Sequence, residues 1–209
     1  LRLSSAASDV YKRQDMSSVR SVFSLLLTTA FLLTGHGIHM TFLPLMASDI
    51  GLSQTVIGIS GSAYFAGFIS GALVTPHIIA KVGHIRSFTT LMAVFLCCFQ
   101  ILPMTNSGAV WIVIRFILGA VMCGAYTVVE SWLSDQADSR THGRVLAIYT
   151  VVVLGAMAMG QGLLSWTYGE AAQVFALISI MIGCAIIPVS LTSSLAPAPV
   201  PATRINFAK

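Results

Sequence analysis

Gly108-Ala-Val-Trp-Ile-Val-Ile-Arg115-Phe-Ile-Leu-Gly119-Ala-Val-Met122-Cys-Gly-Ala-Tyr126-Thr-Val-Val-Glu130-Ser-Trp-Leu133 decides the fold class. The run is longer than the about 20 mostly apolar residues that cross the hydrocarbon core of a bilayer as a helix. Backbone polar groups have no water to bond there, so a single chain segment at that depth has to be helical. Arg115 lies inside the run and Glu130 close to its end.

Five further runs of this kind flank it, approximately Val22–Met46, Val56–Ile79, Ser87–Thr105, Val145–Trp166 and Ala171–Leu191, and none of the five contains Asp, Glu, Lys or Arg. The connections between them are short and polar. The sequence thus predicts an all-α membrane protein, a bundle of six transmembrane helices over residues 16–191. Residues 1–15 lack an initiator methionine and read as a non-native or disordered leader, with Met16 a plausible start. Residues 192–209 hold Pro197, Pro199 and Pro201 among Ala and Ser, and read as a cytoplasmic linker.

Composition excludes the water-soluble classes. Of 209 residues, 56% are hydrophobic and 9% charged, against about 25% charged in an average soluble domain. Cys97, Cys98, Cys123 and Cys184 lie in apolar runs without CxxC spacing, so neither a disulfide framework nor a zinc site is expected, and no metal or other cofactor is. The net charge of +4 sits in the leader and the loops rather than on a basic face, so nucleic acid is not an expected partner.

Loop cations set the expected orientation. With the N-terminus inside, the cytoplasmic segments hold Arg20, Lys81, Arg86, Arg140, Arg144, Arg204 and Lys209, whereas the outer loops hold no Lys or Arg. Both termini are therefore expected in the cytoplasm, in a multi-pass protein of a bacterial inner membrane. Helix association in lipid depends on close backbone approach. The second span offers two small-residue edges for it, Gly58, Ser62, Ala66 and Ser70 on one and Gly67 and Gly71 on the other. In the fifth span Ala156 pairs with Gly160, and Ala158 with Gly162.

Arg115 carries the most information, because a guanidinium at membrane depth costs about 3 kcal/mol or more unless it faces protein or water. Two readings stand: bonding to backbone carbonyls of a neighbouring helix, or a place in a polar cavity. Arg115, Gly119, Met122 and Tyr126 share one helix face, which is thereby polar or open. Glu130 follows that stripe but lies on the order of 22 Å along the helix from Arg115, so the two do not pair. In the first span His36 and His39 share a face. Metal binding, a protonatable cavity lining and plain packing are all open to them, and no third metal ligand is in sight. Gln161 is a further residue for a solute or proton path, or else an interhelical hydrogen bond. Gly58-Ile-Ser60-Gly61 has the form of a serine-protease elbow, but the sixth span lacks the histidine that an intramembrane serine protease would place there, so no enzyme is expected.

These features together resemble the major facilitator superfamily, over Met16 to about Leu191. Its signature turn, approximately GxLaDrxGrr, aligns with Pro76-His-Ile-Ile-Ala80-Lys81-Val-Gly83-His-Ile-Arg86: Lys81, Gly83 and Arg86 fit, while Pro76 replaces the first glycine and Ala80 the acid. Arg115 and Gly119 fit the RxxxG portion of its helix-four motif, and Glu130-Ser-Trp with His142-Gly-Arg144 is similar to a bacterial branch of the family. The fifth span lacks the glycine-proline signature of the drug/proton antiporters. The resemblance implies a secondary active transporter of a small solute working by alternating access, with this chain as the N-terminal half. It further implies a cytoplasmic gate of Lys81, Gly83, Arg86, Glu130 and Arg144, and a solute or proton path at Arg115, Tyr126, His36, His39 and Gln161. Gly67, Gly71, Gly119 and Gly160 are the expected helix-packing residues. The expected partners are the lipid bilayer, a small solute with or without proton coupling, and a C-terminal six-helix half or a second copy. A six-helix scaffold or assembly protein that moves nothing is the alternative.

Overall fold

A computed structural model of the chain describes residues 2–136, 142–167 and 169–192, with side chains from residue 21 onward. It contains six α-helices: α1 (Arg2–Asp49), α2 (Gln54–Val82), α3 (His84–Ile101), α4 (Gly108–Gln136), α5 (His142–Thr167) and α6 (Ala171–Leu191), with a 3-10 turn at Leu102–Met104. All six are long and apolar enough to cross a membrane, α1 over Ser21–Asp49, and no strand occurs among the described residues. The chain is therefore an all-α, six-transmembrane-helix bundle. The leader side chains, Arg140 and nearly all of the linker expected from residue 192 lie outside the described residues.

Helical hydrogen bonding runs past the apolar stretches at several ends. Ser53 Oγ accepts the Val56 amide at 3.3 Å and starts α2, which continues through Pro76 to Val82. The loop expected over residues 80–86 shrinks to Gly83. Its φ of +81° suits glycine because it has no Cβ. Its amide donates to Ile79 O at 2.8 Å, ending α2, and its carbonyl accepts the Ser87 hydroxyl at 2.7 Å, opening α3. At the opposite end the Trp111 indole donates to Thr105 O at 3.0 Å and ties the 3-10 turn to α4.

Two helices organise the bundle. α1 packs chiefly on α5 and α6, and α4 chiefly on α2 and α3, while α3 meets α6 and α1 touches α4. Exchanging α1 with α4, α2 with α5 and α3 with α6 reproduces these pairings, though not the lesser α1–α2 contact, in the manner of a three-plus-three repeat. Glycines make the closest pairings. A Cβ on Gly67 or Gly71 would run into the Phe116 or Ala120 carbonyl of α4, and one on Gly119 into the Tyr64 carbonyl of α2. In the related pair a Cβ on Gly160 would collide with Thr34 O, and one on Gly37 would lie 2.8 Å from Met157 O. Among the described residues most of the other small-residue positions stay open, Ser70 being half-buried. Gly58, Ser62 and Ala66 on α2, and Ala158 and Gly162 on α5, are exposed.

Candidate functional site

Arg115 lies on α4 seven residues after Gly108, at about 10 Å of helical rise from the end of the helix. It is 3% exposed. Gly119, one turn on, brings α2 so close that Tyr64 reaches the guanidinium, whose Cζ stands 4.5 Å from the centroid of the Tyr64 ring. Arg115 Nη1 donates to His39 Nε2 of α1 at 3.3 Å. No carboxylate is among the partners the structure gives Arg115. Its contacts are a neutral aromatic face and an imidazole rather than the backbone carbonyls of a neighbouring helix.

The two histidines complete an aromatic cluster at the meeting of α1, α2 and α4. Ring centroids of His36 and His39 are 5.7 Å apart, and those of His36 and Tyr64 6.2 Å. Tyr126 meets His36 edge-on at 6.1 Å, and Phe95 and Phe99 of α3 wall His39 at 5.5 and 5.9 Å. The stripe of Arg115, Gly119, Met122 and Tyr126 is thus closed over by neighbouring helices instead of facing an open space. His36 Nδ1, His39 Nδ1 and the Tyr64 hydroxyl are buried without a hydrogen-bond partner. Orphaned polar atoms of this kind are rare in folded proteins. Ser21 Oγ, His84 Nδ1 and Trp132 Nε1 are likewise unpartnered, and the other three gather beside Arg115. No group of three or more His, Cys, Asp or Glu suited to a metal occurs among the described residues.

A second polar group lies toward the far end of α4. Glu130 is exposed, and its carboxylate accepts the Tyr149 hydroxyl of α5 at 2.9 Å. The partner the structure gives Glu130 is thus Tyr149 rather than Arg86 or Arg144, which are both exposed, as is Lys81. Tyr126 sits one turn before Glu130 and links this group to the aromatic cluster. At the same end, His84 Nε2 and Ser131 Oγ are 3.1 Å apart. Gln161 stands apart from Arg115. Its amide donates to Gly37 O at 2.8 Å and its carbonyl accepts the Thr41 hydroxyl at 3.0 Å, which staples α5 to α1.

Tyr64 and Tyr149 are the residues that sequence reasoning missed. Tyr64 falls in register with Ser60, Gly67, Gly71 and Thr75, which form the buried face of α2. That register was the available signal, but the exposed Gly58 edge looked equally suited to packing. Tyr149 gave none, since a tyrosine in an apolar span is unremarkable.

Comparison with known proteins places the chain in a family. The family described as Major Facilitator Superfamily matches residues 25–207. A protein of Salmonella arizonae named "Uncharacterized MFS-type transporter YcaD" is 31% identical over 179 residues, covering 85% of this chain and 47% of that protein. Its namesake in Escherichia coli O9:H4 is 29% identical over 181 residues, covering 86% of this chain and 47% of the relative. The chain spans about half the length of the curated relatives it matches. With six apolar helices and a family match over most of its length, the chain belongs to the major facilitator superfamily, a family of membrane transporters.

Proposed function

We propose that the chain supplies the N-terminal six-helix half of a secondary carrier that moves a small solute by alternating access, with Arg115 in the solute or proton path. The observation that carries this reading is the buried guanidinium ringed by His36, His39 and Tyr64, three side chains that keep unpartnered polar atoms. A packing arginine has no need of such company. Desolvating the group costs about 3 kcal/mol or more, of the same order as a desolvated cation–π contact of about 2 kcal/mol plus one charged hydrogen bond of about 1.5 kcal/mol. The unpartnered atoms of His36, His39 and Tyr64 are left for a passenger.

In this reading both termini lie in the cytoplasm of a bacterial inner-membrane protein, and the α2–α3 turn and the Glu130–Tyr149 pair form the cytoplasmic gate. Arg86 and Arg144 then exchange with Tyr149 as partners of Glu130 when the gate changes state. His36 and His39 line the path and couple it to protons. A companion half, another six-helix segment or a second copy of this chain, faces the bundle. The test uses the chain joined to its companion half in cells lacking other copies, with uptake measured over a panel of labelled amino acids, sugars, nucleosides and carboxylic acids. Arg115→Ala should abolish the uptake found while membrane insertion persists; unchanged uptake removes Arg115 from the path.

The exposed edges Gly58–Ser62–Ala66 and Ala158–Gly162 favour a second reading, a scaffold that offers these edges to partner helices. A scaffold moves none of the panel.

A further inference from the structure

We infer that the Arg115 site takes an organic monoanion, a carboxylate carried on a compact apolar body. The inference rests on the proposed transport reading and narrows its solute. An arginine can only donate hydrogen bonds. The contact between Arg115 Nη1 and His39 Nε2 at 3.3 Å therefore makes Nε2 the acceptor, which leaves the proton of that imidazole on Nδ1. His39 Nδ1 is then an N–H donor, buried and unpartnered. The Tyr64 hydroxyl is a second unpartnered donor. The site is thus rich in donors and carries one fixed positive charge, with no carboxylate bonded to it. An occupant that matches it accepts several hydrogen bonds and bears one negative charge.

The site is closed over in this structure, so the rings packed on the histidines restrict what an occupant meets once the helices part to admit it. Tyr64, Tyr126, Phe95 and Phe99 surround the histidines with ring faces and edges. Bare phosphate or sulfate would leave those rings unused and would bring a second charge or a larger hydration shell. A cation would meet Arg115 at close range, and a neutral amide would bring donors where donors already crowd.

The test uses the chain joined to its companion half in lipid nanodiscs, with thermal unfolding and calorimetric titration as readouts. The probes are acetate, benzoate, benzamide, benzylamine and inorganic phosphate. Benzoate should bind and raise the unfolding temperature, acetate should do so more weakly, and the other three should have no effect. Arg115→Gln should weaken benzoate by about tenfold or more, the loss of one charged hydrogen bond. Arg115→Lys should recover part of it. Tyr64→Phe keeps the ring and the packing while removing the hydroxyl, so a severalfold weaker titration there locates the anion independently of whether Arg115→Gln folds. Equal binding of benzoate and benzamide, no response to either carboxylate, or undiminished benzoate binding in both the Arg115→Gln and Tyr64→Phe variants overturns the inference. Carboxylate binding without flux of any solute by the joined halves would keep the inference and sink the transport reading; flux restricted to neutral or cationic solutes would do the reverse.

Discussion

His39 has two tasks at the Arg115 site: it accepts from the guanidinium through Nε2 and presents the opposite nitrogen to the cluster. Replacing it separates them. His39→Gln keeps an acceptor for Arg115 and should cost about 1 kcal/mol or less, whereas His39→Phe keeps the ring and leaves a buried charged donor unmatched, at about 2–3 kcal/mol. Thermal unfolding of the two variants in mild detergent checks the order, and a Phe variant as stable as the Gln variant would mean that Arg115 finds another acceptor. Gln161→Leu, by contrast, removes two bonds between α1 and α5, and interhelical bonds in membranes average about 0.6 kcal/mol each. Its expected cost is about 1 kcal/mol of stability with carboxylate binding intact.

The helix pairs rest on glycines that accept the neighbouring backbone. Gly119→Ala sets a methyl group against the Tyr64 carbonyl, and Gly67→Ala sets one against Phe116 O. Neither obstacle is a side chain that can turn away, so α2 has to move off α4 at a cost of about 1–3 kcal/mol for overpacking. Gly61→Ala and Gly155→Ala place their methyl groups in open space and should change stability little. Unfolding by graded addition of a denaturing detergent separates the two classes, and equal effects would mean that the α2–α4 contact is looser than described. Gly119→Ala should in addition weaken carboxylate binding, since the contact it opens holds Tyr64 against Arg115. The spans were legible in the sequence because length and apolarity suffice to define them. Arg115, His36 and His39 stood out for a related reason: polar groups in an apolar run have few alibis. Which face of α2 turns inward was not legible. Gly58–Ser62–Ala66 and Gly67–Gly71 both permit close approach, and only the partner helix selects between them, so Tyr64 and its role emerged with α4 in place. The partner of Glu130 was hidden likewise, because loop arginines and a tyrosine on α5 are equally suited to a carboxylate until the helices are arranged.

At the scale of the molecule, orientation decides which compartment the Arg115 site is nearer. Helices α1 to α6 alternate in direction, so the turns after α1, α3 and α5 share one end and those after α2 and α4 the other. Lys81, Arg86 and Arg144 all lie at the second end, and short loops rich in Lys and Arg stay on the cytoplasmic side. In the proposed orientation the outer end is the one that begins α4, which would leave Arg115 about 10 Å of helical rise from that end and about twice as far from Glu130. In the proposed carrier a solute would reach the site by the shorter way from outside. Single cysteines test this, after replacement of Cys97, Cys98, Cys123 and Cys184 by alanine. Thr55 and Gly143 are exposed at opposite ends and head α2 and α5 respectively. A membrane-impermeant maleimide applied to intact cells should label Thr55→Cys and spare Gly143→Cys, and inverted vesicles should reverse the result. Labelling of Gly143→Cys in intact cells would turn the bundle over and put the Arg115 site nearer the cytoplasm. The loop arginines would then have to be held outside against their own preference.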